Sequence, residues 1–292
     1  MRREGSLPRV VVVLSMFVAL LIPLVTLVGL LVPGFYRDTA WAIPQERGQD
    51  LITLVVAEPL LVLAMLAERR GAGALWRLVW AGALSYTLYT YLLYSYSTSF
   101  NALFLAYVAL FSLSTFALAS LLLHFDALSL PESAGTGWEE RAVAGFLLFL
   151  GVFFALAWLA QIIPPTLHGT VPSSITQMKT PSNGVYIQDL GLVIPLFALA
   201  GMWLWRGLAW GAALGTILLV MTDIMAAALV AMAVFMARAG IAGSAGTAGM
   251  FAVMTLVSLG FTTLHFQSLR SARAHPYEHP ARLVIHHHRR AG

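Results

Sequence analysis

Apolar residues form long runs along this chain, separated by short polar stretches. A window of about 19 residues finds eight runs long enough to cross a lipid bilayer as helices. They lie at about 11–33, 51–67, 75–96, 102–124, 142–163, 189–205, 208–236 and 249–269. The pattern therefore predicts an all-α integral membrane protein with eight transmembrane helices.

The composition supports this class and removes several others. Of the 292 residues, 59% are apolar and 10% are charged, which is outside the range of ordinary soluble domains. The chain has no cysteine, so disulfides and thiolate metal ligands are excluded. No groove of basic and aromatic residues indicates a nucleic-acid partner. We expect the lipid bilayer as the main partner, with a small-molecule or ion substrate; whether the chain forms a homo-oligomer is left open.

Basic residues are distributed unequally between the two predicted sides. Eight spans put both termini on one side, and 13 of the 17 Lys and Arg residues fall there. Cytoplasmic loops are enriched in such residues, so we expect the N and C termini in the cytoplasm. Arginine is in large excess over the single lysine, Lys179. This bias favours a bacterial protein of the inner (plasma) membrane.

Several short motifs occur twice in the same order. "QDL" begins at Gln49 and again at Gln188, "WRLVWAGAL" resembles "WRGLAWGAAL", and "LHF" closes spans four and eight. These matches predict two four-helix halves, 1–130 and 131–270, followed by a polar cytoplasmic tail, 271–292. Because four is even, the halves have the same orientation, as in transporters built from parallel repeats.

Acidic residues at two depths are the candidate proton or ion pathway. Asp50 and Asp189 are matched by the "QDL" motif and stand where an N-cap is expected. In the alternative to this capping role, Asp50 and Asp189 are a symmetric pair of outer carboxylates that gathers cations. Glu58 lies about 12 Å further down span two at about 1.5 Å per residue. Glu58 and Asp223 break the repeat, since their counterparts are Ile194 and Leu93.

A carboxylate near the bilayer midplane is costly, by at least about 2.5 kcal/mol, and usually functional. No Lys or Arg lies at the depth of Glu58 and Asp223, which favours protonation over a salt bridge. Pro59 frees a backbone carbonyl one turn earlier and loosens the helix there. We therefore expect a proton relay through Glu58 and Asp223. In the alternative, a protonated Glu58 only stabilises the helix packing, through a hydrogen bond to a neighbouring helix.

Polar residues elsewhere are candidates for a cavity and its mouth. Span three carries five tyrosines, of which Tyr86, Tyr89 and Tyr96 share one helical face, whereas Tyr91 and Tyr94 point away. We expect Tyr86, Tyr89, Pro59 and Gln161 to line a cavity and the outermost tyrosines to form an interfacial belt. The long outer loop from Pro164 to Gln188 is a candidate lid, with His168 and Arg47 at the outer mouth.

His124 and His265 close the matched "LHF" motifs and are the weak metal candidates. No cofactor is predicted, although two histidines at equal depth are able to clamp a haem iron or another metal. The favoured function is a proton-coupled transporter or permease. The alternatives are a membrane enzyme or electron carrier, with a His-ligated cofactor or an outer metal site of His168, Asp50, Asp189 and Glu46, and a non-catalytic interaction or sensor protein. No HExxH, GxSxG or phosphate-loop motif supports an enzyme.

Overall fold

The computed structural model describes residues 7–130 and 137–274, with side chains described as far as Ser271. Arg2, Arg3, the middle of the predicted inter-half linker and most of the tail 271–292 lie outside these residues. The described parts are mainly helical and contain no strand. The α-helices are α1 Arg9–Leu31, α2 Ile43–Ile52, α3 Glu58–Arg69, α4 Ala74–Ser97, α5 Phe104–Leu123, α6 Trp138–Leu167, α7 Ser173–Met178, α8 Gly184–Gln188, α9 Ile194–Trp205, α10 Ala209–Arg238 and α11 Ser244–Ala274.

Seven helical stretches among the described residues are long and apolar enough to cross a membrane. They are Arg9–Leu31, Ile43–Arg69, Phe104–Leu123, Trp138–Leu167, Gly184–Trp205, Ala209–Arg238 and Ser244–Ser271. This agrees with an all-α membrane protein. We call the end of the bundle where α1 begins the terminal face, and the end where α1 finishes the opposite face.

The remaining long helix, α4, is less apolar because protein rather than lipid surrounds it. Fifteen of its 24 residues are buried, and they occupy every side of the helix. α4 packs against α3, α5 and α10. Its indole Trp80 Nε1 donates a hydrogen bond to Ser15 Oγ of α1 at 3.0 Å. A helix that is enclosed in this way can carry tyrosine and threonine, since neighbouring helices supply their partners.

Two helices are widened by a π-helical turn just before a proline. α2 continues through a π segment, Thr53–Ala57, into α3, and α8 continues through Asp189–Val193 into α9. The amide of Glu58 bonds to the Thr53 carbonyl, and that of Ile194 bonds to the Asp189 carbonyl. A proline ring clashes with the carbonyl four residues earlier in a regular helix. The wider turn accommodates Pro59 and Pro195 without breaking either helix.

Glycines allow two helices, α2 and α4, to approach α10 closely. A Cβ on Gly48 of α2 would meet the α10 backbone at Ala231 and Met232, and one on Gly82 of α4 would meet Val220. Small residues permit this separation where no hydrophobic force acts between helices in lipid. α10 therefore contacts α2 and α4 directly, and these crossings hold the two predicted halves together.

Candidate functional site: an acid-lined cavity

A cavity of about 510 Å³ opens between α2, α4, α6, α8, α9, α10 and α11, towards the opposite face. Ten aromatic side chains line it, among them Trp41, Phe154 and Trp158. Five methionines share the lining: Met178, Met221, Met225, Met232 and Met254. The volume lies within the range of small-molecule sites, which are about 300–1,000 Å³. Methionine adapts to irregular apolar shapes, so the lining suits an apolar molecule of variable outline.

The charged groups of the cavity have one sign. Asp38, Glu46 and Asp189 belong to its lining, and none of the described lining residues is Lys, Arg or His. Asp38 and Glu46 are close enough to interact with one another. The cavity is therefore electrostatically suited to cations and protons, and it disfavours anions.

Asp189 is held in place by two donors from different helices. The hydroxyl of Tyr89 on α4 donates to Asp189 Oδ1 at 2.9 Å, and Trp158 Nε1 on α6 donates to Oδ2 at 2.9 Å. Asp189 begins the π segment, so its carboxylate projects where the helix is widest. Both donors also line the cavity, and they fix the carboxylate at its wall.

Two buried acceptors on α2 face the cavity without a donor. Glu46 is 8% exposed and Gln49 is 4% exposed, and both belong to the lining. Glu46 Oε2 and Gln49 Oε1 accept no hydrogen bond from an N–H or hydroxyl donor, and the Glu46 carboxyl group lies within hydrogen-bonding distance of the Asp38 carboxyl group, whose Oδ2 is unpaired as well. The Gln49 amide nitrogen donates to the Tyr86 hydroxyl and to Thr90 Oγ1, both at 2.9 Å, which leaves its oxygen on the other side, towards the cavity. Buried polar atoms normally have partners, and orphaned acceptors at a cavity wall indicate a donor in its occupant.

Asp50 lies one helical turn beyond Glu46 in a closed tyrosine network. It is 2% exposed and does not belong to the lining. The Tyr36 hydroxyl donates to Asp50 Oδ2 at 2.5 Å, and the Tyr94 hydroxyl donates to Glu46 O at 3.0 Å and to Asp50 Oδ1 at 3.5 Å. Burial, reinforced by the Asp50 carboxylate, raises the pKa of Tyr36. Tyr36 therefore remains a donor at any physiological pH.

The N-cap prediction for Asp50 and Asp189 was wrong. α2 begins at Ile43 and α8 at Gly184, so both aspartates lie inside a helix. Asn183 is the residue whose side chain caps α8, accepting from the amides of Val185 and Tyr186. The hydropathy window missed the polar first turns, which are buried by neighbouring helices. Both aspartates accept hydrogen bonds from side chains elsewhere in the fold: Asp50 from Tyr36 in the loop before α2, and Asp189 from Tyr89 and Trp158 on other helices.

Glu58 and Asp223 do not share the cavity, since neither belongs to its lining. Glu58 is half-buried, and its Oε2 is buried without a hydrogen-bond partner. Asp223 accepts a hydrogen bond from Ser258 Oγ of α11 at 2.5 Å, and Ser258 does line the cavity. Asp223 is thus one hydrogen bond behind the wall, whereas Glu58 lies beyond Asp50 on the α2–α3 helix.

The π segment aligns Glu58 with Asp50. In a regular α-helix, eight residues turn about 80° past two full turns, at about 100° per residue. A π turn takes up one extra residue, which brings the two side chains within about 20°. Tyr91 of α4 interacts electrostatically with both carboxyl groups, as expected if they follow one side of the helix. Glu46, Asp50 and Glu58 therefore form an acidic line that starts at the cavity.

The other cavity candidates separate into two groups. Tyr89 and Gln161 line the cavity, whereas Tyr86 is fully buried behind it and Pro59 is exposed. Tyr91 and Tyr94, which were expected to point away, are buried and pack on Tyr107 of α5 at ring distances of 6.1 Å and 5.3 Å. Both sides of α4 are covered by neighbouring helices, and Tyr94 also belongs to the cavity lining. Among the five tyrosines of α4, Tyr96, at 47%, is the most exposed.

The predicted mouth residues lie outside the lining. His168 is exposed and bonds to the Pro164 carbonyl of its own helix at 2.7 Å, and Arg47 is half-buried beside the cavity helices. The loop between His168 and α8 does reach the site. Ser174 of α7 is hydrogen-bonded to the Tyr186 hydroxyl at 2.9 Å, and that hydroxyl donates to Gln161 Oε1 at 3.0 Å. These contacts anchor α7 at the edge of the cavity.

His124 and His265 occupy different environments despite their matched motifs. His124 is exposed and contacts only its own helix, through the Ser120 carbonyl at 2.8 Å. His265 is fully buried, with Nδ1 2.8 Å from Glu140 Oε2 and Nε2 2.9 Å from Thr216 Oγ1. Across residues 7–130 and 137–274, no three His, Asp or Glu side chains cluster in a way that would hold a metal ion. His265 instead ties α6, α10 and α11 together.

Sequence reasoning missed Trp158, Gln49 and the methionines of α10 and α11. Trp158 reads as one more apolar residue in span five, and its role depends on a partner 31 positions away. Methionine at positions 221, 225, 232 and 254 reads as ordinary lipid-facing composition. A usable signal was the position of Gln161 three residues after Trp158, which puts a polar group on the same helical face.

Comparisons with known protein families, characterised proteins and solved structures found no match to this chain. Its function is therefore argued from the geometry of the cavity and the acids beside it.

Proposed function

We propose that this protein is a proton-coupled membrane transporter whose substrate binds in the acid-lined cavity. The observation that carries the proposal is Asp189 on the wall of an apolar cavity with no basic lining residue among those described. A carboxylate in such surroundings is costly unless it binds a proton or a cation. Exchange between these two occupants would couple the movement of a substrate to that of protons.

The acidic line on α2 and α3 is the proposed route for the proton. Glu46 is at the cavity, Asp50 lies one turn further along, and Glu58 follows on the same side of the helix after the π turn. Tyrosine hydroxyls stand beside this line, with Tyr94 bonded to Asp50 and Tyr91 near Glu58. Asp223 is a second station, reached from the cavity through Ser258. The route keeps the relay residues predicted from the sequence, Glu58 and Asp223, and adds Glu46 as its starting point in the cavity.

Two parallel four-helix halves are the proposed frame for alternating access. The π segments support this reading, because each has five residues and each precedes a twelve-residue helix with proline at its second position. In both halves the third helix packs on the fourth, and the first also contacts the fourth. Alignment of the two π segments pairs Asp189 with Thr53. The "QDL" motif had paired Asp189 with Asp50, so the two alignments differ by three residues. Movement of one half against the other would open the cavity to either side.

We further propose eight spans, a bacterial inner-membrane location and cytoplasmic termini. α4 would be the eighth span, since its 24 residues at about 1.5 Å each reach about 36 Å. The basic residues Arg69, Arg70, Arg77, Arg141 and Arg206 all fall on the terminal face, as a cytoplasmic side requires. Reporter fusions after Arg141 should give a cytoplasmic signal, and fusions within 170–182 should give an external one. A cytoplasmic signal at Ser182 would overturn the topology.

The transport test uses proteoliposomes with an acidic interior and an entrapped pH dye. The probe is a diphenylpropyl-trimethylammonium ion, whose fixed charge prevents it from crossing lipid alone. Its addition outside should raise the internal pH several-fold faster than in protein-free liposomes. Asp189→Asn should reduce this rate at least about tenfold, whereas the surface variant Asp126→Asn should match the parent protein. If Asp189→Asn and the parent give equal rates, Asp189 is not the coupling group.

A further inference from the structure

We infer that the cavity recognises amphipathic organic ammonium ions, with an apolar body in the Met- and Phe-lined part and a protonated amine at Glu46, Gln49 and Asp189. The inference rests on the proposed function for its claim about transport and names the substrate class of that same cavity. It depends on three separate features: the sign of the charge, the unpaired acceptors and the aromatic walls.

The sign of the charge selects a cation over an anion or a neutral molecule. Three carboxyl groups line the cavity, and no described lining residue carries positive charge. Removing charges from water costs several kcal/mol per ion, and the cost falls when an opposite charge is supplied in good geometry. Asp189 is pre-positioned by Tyr89 and Trp158, so a bound cation supplies the missing countercharge without rearranging the wall.

The unpaired acceptors select an amine that carries N–H groups. Glu46 Oε2 and Gln49 Oε1 are buried acceptors one turn apart on α2; Gln49 Oε1 has no donor, and the Glu46 carboxyl group meets the Asp38 carboxyl group, so a proton or an N–H donor has to lie between these two acids. An ammonium group brings up to three N–H donors and no acceptor. A trimethylammonium group brings charge but no donor and would leave both oxygens unpaired. A primary amine should therefore bind more tightly than its quaternary analogue.

The aromatic walls favour the same ligand. Trp158 packs against Tyr186 with ring centroids 5.3 Å apart and against Phe154 at 6.3 Å, and all three line the cavity beside Asp189. Aromatic faces attract cations, most strongly when the site is desolvated. The remaining volume is bordered by Met225, Met254 and Phe251, which can enclose phenyl or alkyl groups of different shapes.

Four ligands with one apolar body separate these contributions. They are 3,3-diphenylpropylamine, its N,N,N-trimethyl analogue, the corresponding alcohol and the corresponding carboxylic acid. Binding to the purified full-length protein is measured by calorimetry near neutral pH. The amine should bind most tightly, the quaternary ion about tenfold more weakly because two acceptors stay unpaired, and the alcohol and carboxylate at least about a hundredfold more weakly. Equal affinities for the amine and the carboxylate would overturn the inference.

Variants assign the recognition to individual side chains. Glu46→Gln and Asp189→Asn should each weaken amine binding about ten- to hundredfold while leaving alcohol binding unchanged. Asp126→Asn removes an acid on an exposed loop and should leave both unchanged. Trp158→Leu should weaken both cations more than the alcohol, and Trp205→Leu, at a half-exposed site outside the lining, is its control. Circular dichroism of each variant distinguishes lost binding from lost folding.

Failure of transport and failure of recognition give different results. If the amine binds with the expected selectivity but no liposome flux occurs, the ligand class stands and the transporter is refuted. If flux of the quaternary probe depends on Asp189 but the amine has no advantage over the alcohol in binding, transport stands and the ammonium site is refuted.

Discussion

The Asp189 carboxylate accepts a hydrogen bond at 2.9 Å from the hydroxyl of Tyr89, one hundred residues earlier in the chain. Tyr89 belongs to the first predicted half and Asp189 to the second. The contact therefore joins the halves at the wall of the cavity, where a substrate would also touch both residues. The presence or absence of the Tyr89–Asp189 hydrogen bond would therefore indicate whether the cavity is closed or open.

We expect this bond to appear as energetic coupling in a double-mutant cycle. Tyr89→Phe and Asp189→Asn each remove one partner, and their effects on unfolding should be non-additive by about 0.5–1.5 kcal/mol. The measurement is denaturant unfolding in detergent micelles. Tyr91→Phe is the matched control on the same helix, since the Tyr91 hydroxyl is buried without a hydrogen bond. Additive behaviour of the Tyr89–Asp189 pair would show that the contact does not form in solution.

Gly48 should tolerate no side chain, because an added Cβ would meet the backbone of α10 at Met232. Alanine normally favours a helix over glycine by about 1 kcal/mol, so a loss on Gly48→Ala requires a steric cause. We expect Gly48→Ala to destabilise the protein by about 1–3 kcal/mol through overpacking. Gly145→Ala is the control in α6, where nothing lies within 4 Å of an added Cβ. A stabilised Gly48→Ala would contradict the close α2–α10 crossing.

The buried pair Glu140 and His265 should matter for stability rather than for transport. Both side chains are fully buried, and His265→Ala would leave the carboxyl group of Glu140 without its partner. Breaking such a pair costs about 3–5 kcal/mol. His124→Ala should change the unfolding free energy by no more than about 0.5 kcal/mol, because His124 is exposed. Thermal unfolding of the two variants checks this difference, and equal effects would show that the "LHF" histidines are equivalent.

The sequence was sufficient for the positions of the helices but not for what surrounds them. Hydropathy located the eight long helical regions of the described residues, seven of which are long and apolar enough to cross a bilayer. It could not show that α4 is enclosed by protein, so nothing in the sequence indicated that Tyr91 and Tyr94 pack on Tyr107 of α5. It also missed the buried polar first turn of α2, which moved Asp50 from a helix start to a helix interior.

The site was harder to predict than the fold because its contacts join distant residues. Asp189, Tyr89 and Gln161 could be selected by their polarity in an apolar context. The pairing of Asp189 with Trp158, or of Gln49 with Thr90, depends on how helices cross, which periodicity does not encode. The prolines at positions 59 and 195 were visible, but the π turns that precede them, and hence the alignment of Glu58 with Asp50, were not.

Glu58 gives the sharpest test of the proton route. The structural alternative required a hydrogen bond from protonated Glu58 to another helix, yet Oε2 is buried without a partner. Glu58→Leu should therefore leave the unfolding free energy within about 0.5 kcal/mol of the parent value, where a lost interhelical bond would cost about 0.6–1.7 kcal/mol. Denaturant unfolding in micelles measures this difference.

The same position decides whether a proton passes along the α2–α3 helix. Glu58→Gln keeps the size of the protonated acid but cannot exchange a proton, so coupled flux in proteoliposomes should fall at least about tenfold while ligand binding in the cavity persists. Asp223→Asn should behave alike if it is the second station, and normal flux in Asp223→Asn alone would leave the route on α2–α3. Unchanged flux in Glu58→Gln would show that Glu58 is not part of the proton route, which would then extend from Glu46 no further than Asp50.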